Sequence, residues 1–466
     1  MQRTYFDTNR PIAALATVPG ESALAVIRSA GPGAVELASS LFSRPSALVA
    51  ARHMSLVRGE IVDPANGEAV DEVLAAVFRA PGGPIGQDGV EFYCHGSPAV
   101  VRRALSLLER AGFAPALRGE FSLRAFLAGK TDLVKAEAVQ ELVRARSEGE
   151  RAEAFRRLGG GLSESLASSR EAVVDALAEV EARLDYAEED DSPAGGLDAA
   201  SLRGVRDLIA RIAASHAAGR LYERGARAVV AGRPNAGKSS LFNLLVREER
   251  SIVAPDPGTT RDWIEAGIEL GGLPVRLMDT AGLREADGGV EVEGVARSRR
   301  LVEEAEAVVY VVDGSEGLSP ADVAFLESRP GSLRVWNKVD MRGCEPAPPG
   351  FLRLSASTGE GLPALADALR ELIVPGFGLE ESGTSGADIG KGPRGAATVA
   401  SERQKLLLDR AVADLDACLG GLEDGTPLDA VALDLRDAAD ALGEITGAIA
   451  SEEVLEAIFS RFCLGK

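Results

Sequence analysis

Over the first 120 residues, apolar positions come in short runs: "IAALATV", "SALAVIRSAG" and "DEVLAAVFRAPGGP", punctuated by Pro19-Gly20 and Gly31-Pro32-Gly33. Short β-rich runs closed by such breakers predict strands interleaved with short helices. From about Phe121 the spacing becomes helical. In "EAVVDALAEVEARLDYAEEDD" the positions of Val173, Val174, Leu177, Val180 and Leu184 share one helical face. The acidic end and the following "DSPAGG" terminate that helix. Near Ala228 strands begin to alternate with helices, and this continues to about Ile373. Residues 375–396 hold seven glycines, too many for any packed element. Helical spacing then returns and runs to the end of the chain.

The pattern therefore predicts a multidomain α/β and α protein with an α/β block inserted between two helical stretches. The expected divisions are an α/β domain over 1–120, a helical stretch over 121–222, the inserted block over 223–375, a Gly-rich linker over 376–397, and a second helical stretch over 398–466. Domains keep their ends close together, so the two helical stretches are expected to pack as one discontinuous domain.

Composition narrows the class. With 466 residues, 45% hydrophobic and 26% charged, the chain reads as a soluble globular protein of several domains. No run approaches the ~20 apolar residues of a membrane helix, and the first residues lack a basic-then-apolar secretory pattern. The four cysteines, Cys94, Cys344, Cys418 and Cys463, lie far apart with three histidines in the chain. That excludes a zinc cluster and a disulfide scaffold, and it fits a reducing cytoplasm. A net charge of −20 argues against tight unaided RNA binding. Residues 101–146 run the other way, with nine Lys/Arg against five Asp/Glu, a pattern that a solvated helix face also explains.

"AVVAGRPNAGKSSLFNLL" carries the strongest chemical signal. A β-rich run leads into Gly232-x-x-x-x-Gly237-Lys238-Ser239 and then into a helical pattern. Backbone N–H groups of such a loop, here including Asn235, Ala236, Gly237 and Ser240, curl around phosphate oxygens, and the helix N-terminus adds partial positive charge. Lys238 is expected to reach the β- and γ-phosphates and Ser239 to ligate Mg²⁺. A look-alike at Gly390-Lys391 fails, because Ser385 and Gly392 stand where Gly and Ser or Thr are required.

Three further segments follow in the order a GTPase requires. "LMDTAG" supplies Asp279 at a strand end, then Thr280, Ala281 and Gly282 beside the γ-phosphate. "VWNKVD" supplies Asn337, Lys338 and Asp340; the Asp340 carboxylate can accept from both N1–H and the 2-amino group of guanine, a donor pair that adenine lacks. "RLSAST" supplies Ser355 and Ala356 for the guanine oxygen. "PDPGTTRD" falls where the first switch loop belongs, with Thr260 as a Mg²⁺ ligand and Thr259 beside it. Leu283 occupies the place of the water-orienting glutamine of Ras-like proteins and can neither donate nor accept. Another group must place the water.

"GRPNAGKSS", "GTTRD", "DTAGLRE" and "NKVD" resemble the TrmE–Era–Obg-like GTPases. "RGEFSLRAFLAGKTDLVKAEAV", "EFYCHG" and the terminal "ALGEITG…IFSRFCLGK" resemble, within them, the MnmE (TrmE) family of tRNA uridine-modification GTPases, over essentially the whole chain. That resemblance implies an N-terminal folate-binding domain that dimerises, a discontinuous helical domain and an inserted Ras-like P-loop GTPase domain with a mostly parallel sheet. It implies an activity: with an FAD-dependent MnmG-like partner in a heterotetramer, installation of an aminomethyl or carboxymethylaminomethyl group at carbon 5 of the wobble uridine of certain tRNAs. The one-carbon unit would come from a tetrahydrofolate in its 5,10-methylene or 5-formyl form. It implies K⁺-stimulated GTP hydrolysis, with K⁺ held by Asn235, Ala254, Asp256 and Thr259, and water oriented by Glu291. Asp256 departs from the apolar residue of the family pattern, and Pro257 stiffens the loop. Folate is matched to Arg28, Glu91, Lys130 and Lys466.

Two readings from other classes compete: a GTP-switched ribosome-assembly module of the Era or Der kind, and a membrane-remodelling GTPase. No KH-type RNA module, second GTPase domain or lipid-contacting amphipathic segment is visible in the sequence. The terminal "CLGK" is not a prenylation signal, because Gly465 is not aliphatic and Lys466 is outside the accepted set. The resemblance makes it a catalytic or folate-site tail, in which Cys463 would add to carbon 6 of the uridine; an ordinary helix end is the bland alternative.

Overall fold

The apolar runs of the N-terminal part become six strands: β1 Ile12–Leu15, β2 Ser22–Ala30, β3 Ser55–Val62, β4 Ala69–Phe78, β5 Gly89–Gly96 and β6 Ala114–Pro115. These come from a computed structural model that describes residues 5–185, 198–248, 265–279, 300–374 and 398–465. The chain divides into two compact units. One comprises Met1–Gln140, Leu166–Glu171 and Ala439–Lys466, and the other Glu141–Ser165 and Ala172–Ala438. The expected linker over 376–397 lies outside the described residues.

In the first unit the six strands form one sheet in the order β3-β4-β5-β2-β1-β6. It is antiparallel except where β6 runs parallel to β1. The helix Pro98–Ala111 covers one face. Proline at its start suits a position whose N–H needs no partner, and Val101, Ala104, Leu107 and Leu108 recur at helical spacing and are buried. Ala104, Leu107 and Leu108 pack with Ile27, Val73, Ala75, Val77 and Phe92 from the sheet. Each large side chain so buried contributes about 1.5–3 kcal/mol. The register sets Arg28 of β2 directly opposite Glu91 of β5.

A buried ion pair fixes the next helix, Glu120–Leu127. Glu120 and Arg124 are both fully buried and 2.8 Å apart. Glu120 also accepts from the Leu117 N–H at 2.7 Å, and Arg124 donates to Gln87 Oε1 at 3.1 Å and to the Asp7 carbonyl at 3.3 Å. A charge taken out of water is tolerated only when it is paired and further hydrogen-bonded in this way.

The second unit holds β7 Ala226–Gly232, β8 Glu265–Leu270, β9 Leu273–Asp279, β10 Ala307–Asp313, β11 Leu333–Asn337 and β12 Leu352–Arg353. They form a sheet in the order β12-β11-β10-β7-β9-β8, parallel except for the β8–β9 hairpin. Strand β10, "AVVYVVD", is buried at every residue, as expected of a parallel strand covered on both faces. Its residues alternate between two cores: Val309 and Val311 pack with Leu241, Leu245, Leu365 and Leu369, while Val308, Tyr310 and Val312 pack with Leu326 and Trp336. The same unit brings helix Ala199–Ala214 against helix Glu402–Asp424, one from each side of the inserted block, with Arg203 on Glu423 at 2.5 Å and Arg206 on Asp416 at 2.7 Å. Among the described residues no helix is long and apolar enough to cross a membrane.

The helix Gly161–Asp185 has a narrower apolar stripe than its spacing predicts. Val173 and Val180, seven residues apart, are fully buried, whereas Val174 and Leu184 are 36% and 38% exposed. Val174 sits about 100° round from Val173 at the stripe's edge, and Leu184 lies in the last turn.

Replacing Arg124 with Met leaves Glu120 buried without its partner. We expect a loss of about 3–5 kcal/mol, measured as a lower urea midpoint; a loss below 1 kcal/mol would mean that Glu120 finds compensation elsewhere.

Candidate functional site

The loop after β7 and the helix Lys238–Glu248 present the phosphate-loop residues together. Asn235 takes φ +63° and Gly237 φ +95°. Gly237 has no alternative: a Cβ there would stand 2.2 Å from Asn337 Nδ2. The Lys238 amine donates to the Arg233 carbonyl at 2.7 Å, so it is held inside the loop. Ser239 Oγ, in the first turn of that helix, donates to Asp279 Oδ2 at the end of β9 at 2.7 Å. A hydroxyl and a carboxylate this close form a pair of hard oxygen donors of the kind Mg²⁺ takes. Ser240 is exposed in the first turn of the helix.

The base-side loops join the same end of the sheet. Asn337, buried at the end of β11, donates to the Ala236 carbonyl at 2.8 Å and accepts from the Ala356 N–H at 3.0 Å. One amide therefore ties the phosphate loop to the "SAST" segment. Lys338, at φ +65°, places its amine 2.5 Å from Asp313 Oδ2 at the end of β10. Burial pushes Asp313 up, but the hydrogen bonds from Lys338 and Ser315 outweigh it and hold the carboxyl below the ordinary range. Asp340 accepts from Ser355 Oγ at 2.6 Å and from Ser357 Oγ at 2.9 Å. Those two hydroxyls hold its carboxyl below the usual aspartate value.

A second cluster lies in the first unit. Arg28 Nε sits 2.6 Å from Glu91 Oε1, and Arg28 Nη1 donates to the Gly465 carbonyl at 3.0 Å. The guanidinium lies 5.8 Å from the centre of the Phe121 ring, and the Tyr93 hydroxyl donates to Glu91 Oε2 at 3.1 Å. Burial, and then the Glu91 charge, pushes the Tyr93 phenol up. Arg28 and Glu91 line a recess with Phe78, Ile85 and Gln87 that leaves only about 10 Å³ for solvent. Lys130 is exposed beside it, its Cε 3.5 Å from where a Cβ on Gly86 would stand. Cys463 is exposed while Gly465 is buried.

Of the residues singled out in the sequence, Asn235, Ala236, Gly237, Lys238, Ser239, Asp279, Asn337, Lys338, Asp340, Ser355 and Ala356 converge on one end of the second sheet. Arg28, Glu91 and Lys130 converge with the C-terminal segment on the first. Ala254, Asp256, Pro257, Thr259, Thr260, Thr280, Ala281, Gly282, Leu283, Glu291 and Lys466 lie outside the described residues. Sequence reasoning passed over Ser357, Asp313 and Tyr93. Ser357 stands inside the quoted "SAST" and Tyr93 inside "EFYCHG", so both were in view; nothing near Asp313 in sequence signals its pairing with Lys338.

A mostly parallel sheet that carries a phosphate loop, a strand-end aspartate on its serine and an Asn-Lys-x-Asp loop defines a P-loop nucleotide-binding G domain. Comparison with known proteins is more specific. A model described as the MnmE helical domain matches residues 133–463, and one described as the GTP-binding protein TrmE N-terminus matches residues 11–130. The tRNA modification GTPase MnmE of Thermus thermophilus is 42% identical over 98% of this chain and 99% of its own length. That of Carboxydothermus hydrogenoformans is 37% identical over the same shares. The chain belongs to the MnmE family of tRNA modification GTPases.

The depressed Asp340 carboxyl has a defined sign. Its ionised form is the one the two serines favour, so their stabilisation is present at neutral pH and is lost as pH falls through the folded-state value, below the ordinary aspartate range. We expect an NMR titration of Asp340 to fall below that of a free aspartate and to return toward it in Ser355→Ala/Ser357→Ala. An unchanged midpoint in the double variant would remove the serines as the cause.

Proposed function

We propose that this chain is a K⁺-stimulated GTPase that works with an FAD-dependent MnmG-like flavoprotein, as a heterotetramer in the cytoplasm. Its product is an aminomethyl or carboxymethylaminomethyl group on carbon 5 of the wobble uridine of certain tRNAs, built from a tetrahydrofolate one-carbon unit. One arrangement carries the reading: the exposed thiol of Cys463 stands two residues before a carbonyl that is bonded to Arg28, beside Glu91 in its recess. A pterin ring presents a donor edge suited to a carboxylate, and a glutamate tail suits cations such as Lys130 and Lys466. The donor set fits such a ligand, although the recess has to open beyond its present volume to admit a ring.

In this reading Asp340, Asn337, Lys338, Ser355 and Ala356 hold guanine, and the loop Asn235–Ser240 holds the phosphates. Ser239, Asp279 and Thr260 serve Mg²⁺, whose charge neutralises the developing phosphate charge. Asn235, with an exposed amide at the loop tip, serves K⁺ together with Ala254, Asp256 and Thr259. Glu291 orients the water, a task the apolar Leu283 cannot perform, and Thr280, Ala281 and Gly282 lie beside the γ-phosphate. In the first unit the Cys463 thiolate would add to carbon 6 of the uridine; the S–C6 bond forms as the C5–C6 π pair moves to carbon 5, and that pair then forms the new bond from carbon 5 to the folate-derived carbon. Loss of the C5 proton and departure of the thiolate later restore the ring. Homodimers form through residues 1–120. Leu56 and Leu74, 63% and 44% exposed on neighbouring strands of one sheet face, supply apolar surface for a second copy.

Two measurements test this. GTP turnover should be much faster in K⁺ than in Na⁺, since a missing charge stabiliser typically costs on the order of 10³-fold, and Glu291→Ala should bind GTP yet hydrolyse it slowly. Equal rates in both salts would move the charge-stabilising role to an arginine such as Arg261. Cys463→Ser should abolish the tRNA modification, read by mass spectrometry of tRNA nucleosides; full modification would return the tail to an ordinary helix end.

A further inference from the structure

The C-terminal segment is held by its backbone. After the helix Glu452–Phe459, the Arg461 carbonyl accepts from Gln140 Nε2 at 2.8 Å and the Phe462 carbonyl from Arg118 Nε at 3.1 Å. The Cys463 carbonyl accepts from the Gly119 N–H at 3.3 Å, and the Gly465 carbonyl from Arg28. Four of five successive carbonyls thus take donors from outside the segment. Two buried points bracket the thiol. The Phe462 ring is 1% exposed and 5.1 Å from that of Phe459. Gly465, at φ +85°, lies so close to β1 that a Cβ would stand 2.3 Å from the Leu15 carbonyl oxygen. Between them Cys463 and Leu464 form a two-residue arch whose side chains face out.

We infer that Arg118 and Gln140 are positioning residues that aim the Cys463 thiol by gripping the carbonyls of Phe462 and Arg461. The inference rests on the reading of Cys463 as the nucleophile. Neither side chain reaches the thiol; Arg118 is exposed and Gln140 half-buried, and both act only through the backbone. A guanidinium donating to a carbonyl is a charge-assisted bond, stronger than a neutral one. Arg118 is therefore the main grip and Gln140 the second. The motif "RGEFSLR" acquires a rationale as a unit: Arg118 and Gly119 hold the tail, Glu120 and Arg124 form the buried pair that fixes the loop, and Phe121 lies under Arg28.

Misplacing a reacting atom by about 1 Å can cost on the order of 10²-fold. In cells carrying Arg118→Ala as the sole copy, the modified nucleoside should fall by about that factor. GTP turnover of the purified full chain should stay unchanged, and amide hydrogen exchange across 460–465 should rise. Arg118→Lys, which keeps a cationic donor, should restore most of both readouts, and Gln140→Ala should move both in the same direction by less. Full modification by Arg118→Ala overturns the proposal. So does a fall in modification with tail exchange unchanged, because Arg118 would then act elsewhere. Retained modification in Cys463→Ser would instead overturn the nucleophile reading, and with it the purpose of the grip, whereas the exchange measurement reports the grip independently.

Discussion

The nucleotide end of the second sheet depends on the buried amide of Asn337. Its Nδ2 donates to the Ala236 carbonyl and its Oδ1 accepts from the Ala356 N–H, so two loops more than a hundred residues apart share one side chain. The same group fills the space where any side chain at position 237 would go, which makes glycine obligatory in the phosphate loop. An aspartate there could keep only the bond from Ala356 and a leucine neither, since both a donor and an acceptor are required. The distance between a phosphate cradle and a base pocket is thereby set by one residue, and the aligned strand ends of β7, β9, β10 and β11 supply the platform.

The first unit applies a similar constraint to a tail rather than a ligand loop. Arg28 is shared between Glu91 and the Gly465 carbonyl, so whatever engages Glu91 also bears on how the C-terminal segment sits. Small residues are again the means: Gly465 lets the backbone lie against β1 at a separation no side chain permits. With four carbonyls held, the order of the segment comes from tertiary bonds rather than from helix propensity, because the helix itself has already ended at Phe459.

The features legible in the sequence were those written in local spacing. The phosphate loop, "NKVD" and "SAST" each carry their chemistry within a few residues. The Arg28–Glu91 pairing was reachable only through the family resemblance. What stayed hidden depends on register between distant segments. The Lys338–Asp313 contact follows from β10 and β11 lying side by side, and Arg118 meets the Phe462 carbonyl across more than three hundred residues. The overestimated stripe on Gly161–Asp185 is the converse case: spacing defines which residues share a face, while the packed neighbours decide how much of that face is covered. Glu291, Thr259 and Thr260 remain sequence-based assignments.

The central claim is that the frame fixed by Asn337 presents the Asp340 carboxylate to guanine, and substitution of that carboxylate tests it most directly. Titration of Asp340→Asn with GTP and with xanthosine triphosphate compares a base that donates from its 2-position with one that accepts there. The account predicts that GTP affinity falls by ~10²-fold or more, since the carboxylate's pairing with two base donors is broken, while xanthosine triphosphate binds more tightly than it does to the unaltered protein. Unchanged affinity for both nucleotides would contradict it.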